Sequence, residues 1–304
     1  MFKPPEHVKH KVSSRPLVSI CVQTYKHVNY IEQCLESILE QKTNFEYEIL
    51  LGEDNSSDGT REICVEYVKK YPNKIRLFLH HDQNKISVNS IKTGNFNAFY
   101  NFFQARGKFI AFCEGDDFWT DPEKLQIQTD FLLKNSDYSL CFHRFKEKFP
   151  CDYPGNNPTL NQPLQDISSQ RLAELRFHPL LSTVCFKAPL LRELPEEMLQ
   201  VLNVDSFLLS ILGTLGPAKF QENIGPTIYR RHEKGIWSGK MKSAKLKIKI
   251  NTLIKLIAYH KKNNKSHLVD SFQKDLKNKY RSLFVHFLKK GDFIKAIPLF
   301  RYII

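Results

Sequence analysis

The chain has 304 residues, of which 41% are hydrophobic and 25% are charged, and its formal net charge is +13. This composition excludes a disordered or collagen-like chain and supplies enough apolar side chains for a full-sized core. The longest uncharged apolar runs, such as Phe109–Cys113, fall far short of the ~20 residues needed to cross a bilayer.

Residues 1–15 are predicted to form an N-terminal extension. The segment is polar and lacks the apolar stretch of a secretory signal, so we expect the protein in the cytosol. Leu17–Val22 is a short β-rich run and is predicted as a buried strand. A helix is then predicted to begin at Asn29 as N-cap, with Glu32 three residues later completing a capping box.

Strands and helices are predicted to alternate through the next part of the chain. The strands are Tyr47–Leu51, Ile75–Leu79 and Phe109–Cys113, and the helices are Thr60–Tyr71, Phe96–Ala105 and Lys124–Leu133. This order is typical of an α/β fold, with a Rossmann-like, mostly parallel sheet and helices on both faces.

Three of the predicted strands end in polar residues. Thr24 and Tyr25 follow the first strand, Glu53 and Asp54 the second, and residues 114–117 the fourth. Ligands bind at the carboxyl ends of the strands in such sheets, so we expect these side chains to line one crevice. Acids in E-x-D spacing can hold a cation, and oxygen ligands favour Mg²⁺ or Mn²⁺ over zinc. Acidic turns also serve solubility, so the two acids of the E-x-D spacing do not by themselves establish a metal site.

The second half of the chain carries fewer clear signals. Residues 150–163 form a loop rich in proline and asparagine, Leu181–Phe186 is predicted as a strand, and Val204–Leu212 as a helix that begins near Asp205. Seven widely spaced cysteines without a C-x-x-C motif indicate buried thiols rather than disulfides or a zinc site.

Residues 238–304 carry the positive charge of the chain. They contain 17 lysine and arginine residues against three acids, a net charge of +14, whereas the preceding part has a net charge of −1. Helices are predicted at about Ala244–Lys261 and His267–Lys289, the second with an apolar stripe from Phe272 to Phe287. Such a tail indicates a surface-binding appendage.

Three interpretations of this basic tail stay open. It is a solvated helical face, or it binds an anionic membrane surface, where each basic residue contributes about 1 kcal/mol. Binding to nucleic acid is the least favoured, because the tail contains no known recognition motif.

Five segments, in this order, resemble the family-2 inverting nucleotide-sugar glycosyltransferases of GT-A fold, of the type that assembles bacterial surface polysaccharides or lipopolysaccharides. The segments are V-S-I-C-V-Q-T-Y, L-L-G-E-D-N-S-S-D-G-T, G-K-F-I-A-F-C-E-G-D-D-F-W-T-D-P-E-K-L, V-D-S-F-L-L-S-I-L-G-T-L-G and Y-R-R-H-E-K-G-I-W. The resemblance covers residues 16–237, which are predicted as the GT-A domain, followed by the basic helical tail 238–304.

The resemblance implies roles for individual residues. Asp205 matches the catalytic base. Asp116 matches the metal ligand of the D-x-D motif, in which Glu114 replaces the first aspartate, and His232 matches a histidine that reaches the metal or diphosphate in some members. The implied nucleotide-binding residues are Thr24, Tyr25, Glu53, Asp54, Glu114, Arg230 and Arg231.

The residues themselves allow plainer interpretations. Asp205 is also explained as a helix N-cap, since it precedes an apolar helix. His232 is also explained as a surface histidine, and Asp58 is best explained as a turn and cap residue before Gly59.

The implied function is transfer of a sugar from a nucleotide diphosphate sugar, by the resemblance UDP-linked, to a hydroxyl of a glycan or lipid-linked acceptor with Mn²⁺ or Mg²⁺. The enzyme would be cytoplasmic, and peripheral at the inner membrane face if its tail binds lipid. The alternative is a catalytically inactive GT-A-like module that binds membrane or polyanion through the tail. Retention of Asp54, Asp116 and Asp205 together favours the enzyme.

Overall fold

A computed structural model describes residues 2–149, 160–188, 194–232 and 241–303. The strands of these segments are β1 (Glu6–His7), β2 (Val18–Thr24), β3 (Tyr47–Glu53), β4 (Ile75–Leu79), β5 (Ser87–Val88), β6 (Ile91–Lys92), β7 (Phe109–Phe112), β8 (Leu140–Phe142), β9 (Phe145–Lys148), β10 (Cys185–Lys187), β11 (Ala218–Phe220) and β12 (Thr227–Arg230). The helices are α1 (Ile31–Leu39), α2 (Thr60–Lys70), α3 (Asn95–Gln104), α4 (Lys124–Lys134), α5 (Ser169–Ala173), α6 (Glu196–Leu199), α7 (Val204–Gly213), α8 (Lys242–Lys262), α9 (Ser266–Lys289) and α10 (Phe293–Ala296).

An eight-stranded sheet with the order β1-β4-β3-β2-β7-β10-β8-β11 forms the centre of the structure. Strands β4, β3, β2 and β7 are parallel neighbours, whereas β10 runs antiparallel to both β7 and β8. The small pairs β9–β12 and β5–β6 lie beside the main sheet. The predicted mostly parallel α/β sheet is therefore confirmed, and its parallel centre brings the carboxyl ends of β2, β3 and β7 to one edge.

Alternate residues of the parallel strands supply two apolar layers, as the period of a strand requires. Ile20 and Leu51 point towards α1, α2 and α4, with Leu35 of α1 in the same cluster. Cys21 and Leu50 point to the other layer, which contains side chains of α3, α7, α8 and α9. Helices cover both faces, as predicted.

The predicted capping box at the start of α1 is wrong. The helix begins at Ile31, after Tyr30, and no side chain caps it. The backbone N–H groups of Tyr30 and Ile31 both donate to the carbonyl of His27, so a backbone turn takes the place of Asn29 and Glu32.

The predicted strand Leu181–Phe186 is only partly correct. Its first three residues, Leu181–Thr183, form a 3₁₀ turn, and Cys185–Lys187 pairs with its neighbours. Thr183 donates to the carbonyl of Leu180 through both its backbone N–H and its hydroxyl, which stabilises the turn instead of an extended chain. Most of the predicted loop 150–163 lies outside the described residues.

The two long helices of the basic tail contribute to the main core. Leu253 and Leu256 of α8, and Leu268 and Phe272 of α9, are buried in the cluster that lies against α7 and the sheet. At the other end of the same helices, three further apolar side chains close a smaller cluster with Ala296; these are Ile250, Leu283 and Phe287. The apolar stripe of α9 thus packs within the protein, since Phe272, Leu283 and Phe287 are buried and the residues between them pack partly buried against the same clusters. The described tail is therefore part of the fold. The boundary at 237/238 lies outside the described residues and stays a prediction.

The thiols behave as the sequence predicted. Six cysteines of the described segments are free and buried, whereas Cys151 lies outside them. The longest helices, α8 and α9, are too polar to cross a membrane, and no other helix in the described ranges qualifies.

We predict that Leu256→Ala lowers the free energy of unfolding by about 2–5 kcal/mol, because it removes a fully buried side chain and leaves a cavity. Ile254→Ala, on the exposed side of the same helix, is the matched control and should cost less than about 1 kcal/mol. Denaturant unfolding of the full chain measures both. Equal stability of the two variants would mean that α8 is not part of the core.

Candidate active site

The polar ends of β2, β3 and β7 converge as predicted. The backbone N–H of Asp54 donates to the carbonyl of Thr24 at 3.0 Å, and that of Gly115 donates to the carbonyl of Gln23 at 2.9 Å. A side chain at Gly115 would meet the Thr24 side chain at 2.8 Å, so glycine allows this close approach. The acidic turns after β3 and β7 therefore flank the end of β2.

Asp116 lies at the centre of a cluster with two histidines. His232 Nε2 is 2.9 Å from Asp116 Oδ2, and His27 Nε2 is 3.8 Å from the same oxygen. One ligand atom from each of the three residues lies within 4.8 Å of the others. The structure thus brings together the predicted Asp116 and His232, and adds His27.

His27 was missed by the sequence interpretation. Its position depends on the neighbouring turn, because Thr60 Oγ1 accepts from the His27 backbone N–H at 2.9 Å. The ring Nδ1 is 3.3 Å from Thr24 Oγ1, which leaves Nε2 directed at Asp116. The only signal in the sequence was a histidine shortly after a strand end, which is too common to identify a ligand.

This cluster fits a divalent metal ion. Ligand atoms about 2.1 Å from one ion lie at most about 4.2 Å apart, so a small inward movement brings all three into range. Burial alone would raise the pKa of Asp116, but the hydrogen bond from His232 and the charges of His27 and His232 together hold it below its usual value. The carboxylate is therefore kept ionised, as a ligand must be.

Arg230 and Asp117 hold the turn that carries Asp116. The backbone N–H of Arg230 donates to Asp117 Oδ1 at 3.1 Å, and Ser182 Oγ donates to Asp117 Oδ2 at 2.7 Å. The Arg230 guanidinium donates to the carbonyl of Asp116 and to the side chain of Gln33. Arg230 thus stabilises the turn after β7, and its contact with a diphosphate stays a prediction.

Two other predicted nucleotide-binding residues are also engaged within the protein. Arg231 pairs with Glu147 at 2.6 Å. Glu53 is fully buried, pairs with Arg61, and accepts from the backbone N–H of Ser56 at 2.6 Å. Both carboxylate oxygens of Glu53 are occupied, so this geometry favours a structural role, and neither predicted nucleotide contact gains support from it.

Asp54 lacks such partners. Its side chain is buried, and no residue in the described segments donates a hydrogen bond to its carboxylate. Burial raises the pKa of Asp54 to about 6, against the lowering effect of Lys85. Beside it, the exposed ring of Tyr25 carries the Lys85 ammonium 3.9 Å from its centre, whereas Thr24 is buried against His27. Asp54 therefore keeps hydrogen-bonding capacity for a ligand, and so does the side-chain amide of Gln23 at the end of β2.

Asp205 lies on the first turn of α7, and the helix N-cap is Asn203, so the interpretation of Asp205 as the cap is wrong. Its carboxylate is about one-third exposed, and Oδ2 is 3.5 Å from His178 Nε2. Burial, and then the charges of Asp116 and Asp205, raise the pKa of the half-buried Glu114 to about 8. The charge of Asp205 therefore acts on the E-x-D turn.

The start of α7 is held by α8. Asn251 donates to the carbonyl of Gln200 at 2.8 Å, and Thr252 Oγ1 lies 3.4 Å from Asn203 Oδ1. The chain just before Asp205 is thereby fixed by a helix of the basic tail. A role of the tail in positioning Asp205 could not be predicted from its charge.

Acidic turns follow the ends of the parallel strands, and a further carboxylate lies on a later helix. This arrangement is typical of sugar-transfer enzymes of GT-A type. The chain belongs to glycosyl transferase family 2, whose model matches residues 19–193, more than half of its length. The predicted family is confirmed.

The relatives are similar at moderate identity. The chain is 30% identical over 225 residues to the uncharacterized protein Mb1547 of Mycobacterium bovis, covering 72% of this chain and 60% of that protein. It is 30% identical over 122 residues to the putative teichuronic acid biosynthesis glycosyltransferase TuaG of Bacillus subtilis, covering 40% and 44%. The chain therefore spans less than two thirds of the length of either relative.

Two solved structures share the fold. S. aureus TarS 1–349 in complex with UDP-GlcNAc matches with a TM-score of 0.57 and 14% identity, over 93% of this chain and 90% of that one. The Pyrobaculum calidifontis mannosyltransferase PcManGT in complex with GDP-Man and Mn²⁺ matches with a TM-score of 0.53 and 15% identity, over 98% and 82%. These likenesses confirm the predicted GT-A fold.

We predict that Asp54→Asn stabilises the protein at pH 7.5 by about 1–3 kcal/mol but changes little at pH 4. The pKa of about 6 in the folded state exceeds the ordinary 3.8, so the stability associated with protonated Asp54 is present below pH 4 and lost as the pH rises through 6. The amide avoids that loss. Thermal unfolding at both pH values measures the difference, with Asp137→Asn, an exposed aspartate before β8, as control. Equal effects at the two pH values would contradict a raised pKa of Asp54.

Proposed function

We propose that the protein is a metal-dependent inverting glycosyltransferase. It moves a sugar from a nucleotide diphosphate sugar to a hydroxyl of a glycan or lipid-linked acceptor. The observation that carries this proposal is the cluster of His27, Asp116 and His232 beside the ends of the parallel strands, where one ligand atom of each residue lies within 4.8 Å of the others. Membership of glycosyl transferase family 2 supports the same activity.

Asp54 is assigned to binding of the donor nucleotide. A buried carboxylate without a protein donor gains most by accepting an N–H from a ligand, and the edge of a nucleotide base supplies one. We assign uracil as the base and UDP as the nucleotide, with Glu114 facing the ribose. The complex of TarS with UDP-GlcNAc shows that this fold accommodates such a donor in that protein.

His27, Asp116 and His232 would hold the metal ion. One carboxylate oxygen with two imidazole nitrogens favours Mn²⁺ over Mg²⁺, because Mg²⁺ prefers oxygen ligands and imidazole suits softer ions. A bound cation would neutralise charge on the departing diphosphate. Thr24 would keep the His27 ring oriented by accepting the proton of Nδ1.

Asp205 is assigned as the general base. Its exposed carboxylate takes the proton of the acceptor hydroxyl while that oxygen bonds to C1 of the sugar and the bond from C1 to the diphosphate breaks. A single displacement inverts the configuration at C1 and needs no nucleophilic side chain. His178, 3.5 Å from the carboxylate, helps to fix its orientation.

The acceptor is assigned to bacterial surface polysaccharide or lipopolysaccharide assembly at the cytoplasmic face of the membrane. The name of TuaG, a teichuronic acid biosynthesis glycosyltransferase, supports this setting. Attachment to an anionic membrane through residues 238–304 would bring the enzyme to lipid-linked acceptors. The alternative is an inactive module that only binds membrane or polyanion, and such a module would not hydrolyse any nucleotide sugar with Mn²⁺.

We predict that Asp205→Asn keeps donor binding but lowers kcat about 10²–10⁴-fold, because it removes the proton acceptor while keeping the side chain's shape. Steady-state turnover of UDP-sugars with Mn²⁺ measures kcat, and a thermal shift with UDP measures binding. Asp137→Asn, at the opposite edge of the sheet, should leave both unchanged. Normal turnover by the Asp205 variant would place the base elsewhere, and no turnover by the wild type with any nucleotide sugar would favour the inactive module.

A further inference from the structure

The last described segment of the chain exposes large apolar side chains. In α10 and the 3₁₀ turn Ile297–Tyr302, the exposed fraction is 59% for Phe293, 88% for Ile294, 69% for Ile297 and 53% for Phe300. We call these four residues the apolar ridge. Clustered exposed apolar residues of this size usually mark a binding surface.

The ridge stands on a packed base. Ala296 is fully buried, and Leu299 packs against the small cluster formed by α8 and α9. The ring of Tyr302 stacks on Tyr280 of α9, with centres 4.3 Å apart and planes 9° apart. The inward residues fix the segment, so the outward exposure of the ridge is a property of the fold.

The surroundings of the ridge are basic. Asp292 is the only acid after residue 275, and its carboxylate caps α10 and pairs with Lys295 at 2.6 Å. Lys289, Lys290 and Arg301 have no carboxylate within ion-pair distance among the described residues. The ridge therefore presents apolar side chains beside uncompensated positive charge.

We propose that the apolar ridge inserts into the interface of an anionic bilayer while the neighbouring cations contact lipid phosphates. Apolar side chains with flanking lysines are the pattern of proteins that lie on membranes without crossing them. A second copy of the chain fits less well, because two such faces would bring like charges together. This inference deepens the membrane part of the proposed function and assigns lipid contact to the ridge instead of the stripe of α9, which packs within the protein.

The ridge is connected to the candidate base through α8. Ile250 packs in the cluster beneath the ridge, and Thr252, two residues later, contacts Asn203 at the start of α7. One turn of α8 thus lies between the membrane-facing segment and the helix that carries Asp205. This arrangement is suited to an acceptor that is itself held in the membrane.

The test is co-sedimentation of the full chain with vesicles of phosphatidylglycerol and phosphatidylcholine. The ridge variant carries Ile294→Gln with Ile297→Gln, and the matched control carries Leu133→Gln with Leu215→Gln, two exposed leucines of the catalytic body. Both changes leave the net charge unaltered. We expect the ridge variant to bind at least about tenfold more weakly, since burial of each isoleucine contributes substantially, and the control to bind like the wild type.

Salt separates insertion from attraction between charges. Raising salt from about 0.1 M to about 1 M shortens the Debye length from about 10 Å to about 3 Å. Wild-type binding should fall but persist at high salt, and Lys289→Gln with Lys290→Gln should remove only the salt-sensitive part.

Equal vesicle binding by ridge variant and wild type would overturn the proposal. So would conversion of a wild-type dimer into a monomer by the ridge substitutions, which would identify the ridge as an interface between copies.

Turnover of UDP-sugars by the same variants keeps the two proposals apart. Lost vesicle binding with normal turnover confirms insertion by the ridge without affecting the catalytic assignment. Vesicle binding by a wild type that turns over no donor would refute the proposed transfer reaction without contradicting the insertion of the ridge.

Discussion

The hydrogen bond from the backbone of Arg230 to Asp117 joins the end of β12 to the turn after β7, 113 residues away in the chain. With the guanidinium of Arg230 on the carbonyl of Asp116, it fixes the turn after β7 against the strand that leads to His232. Burial raises the pKa of Asp117 well above its usual value, and the charge of Asp116 adds to this effect. The hydrogen bonds of Asp117 must therefore be made within the protein, and this requirement places Asp116 and His232 face to face.

Hydrogen bonds also join the turns on the other side of the crevice. The β2–α1 turn is fastened to the acidic turn after β3, because Ser56 accepts from the backbone of Lys26 and Thr60 accepts from that of His27. The acids of the turns and of α7 thus divide into two groups. Glu53 and Asp117 are buried and satisfied, and they support the backbone. The capacity to bind a ligand or a proton remains with Asp54, Asp116 and Asp205. The first group of acids is therefore structural, and the second is available for the proposed reaction.

The sequence was sufficient for the sheet, the helices and the convergence of three strand ends, because these follow from periodicity and from the direction of parallel strands. It was not sufficient for His27, whose placement depends on Thr24 and Thr60. Two arginines beside a histidine resembled diphosphate contacts, yet Gln33 and Glu147, far away in the chain, engage them. The stripe of α9 was visible in the sequence, but only the packing of α8 and α10 shows that it is internal.

The central claim is that His27, Asp116 and His232 together hold the metal that assists donor cleavage. Pulsed electron paramagnetic resonance of bound Mn²⁺ in the presence of UDP tests it most directly, because imidazole ligands couple their nitrogen nuclei to the ion. We expect nitrogen couplings from two histidines, loss of one in His27→Asn, and loss of bound Mn²⁺ in Asp116→Ala. Mn²⁺ bound with UDP but without nitrogen couplings, or unchanged in Asp116→Ala, would contradict the account.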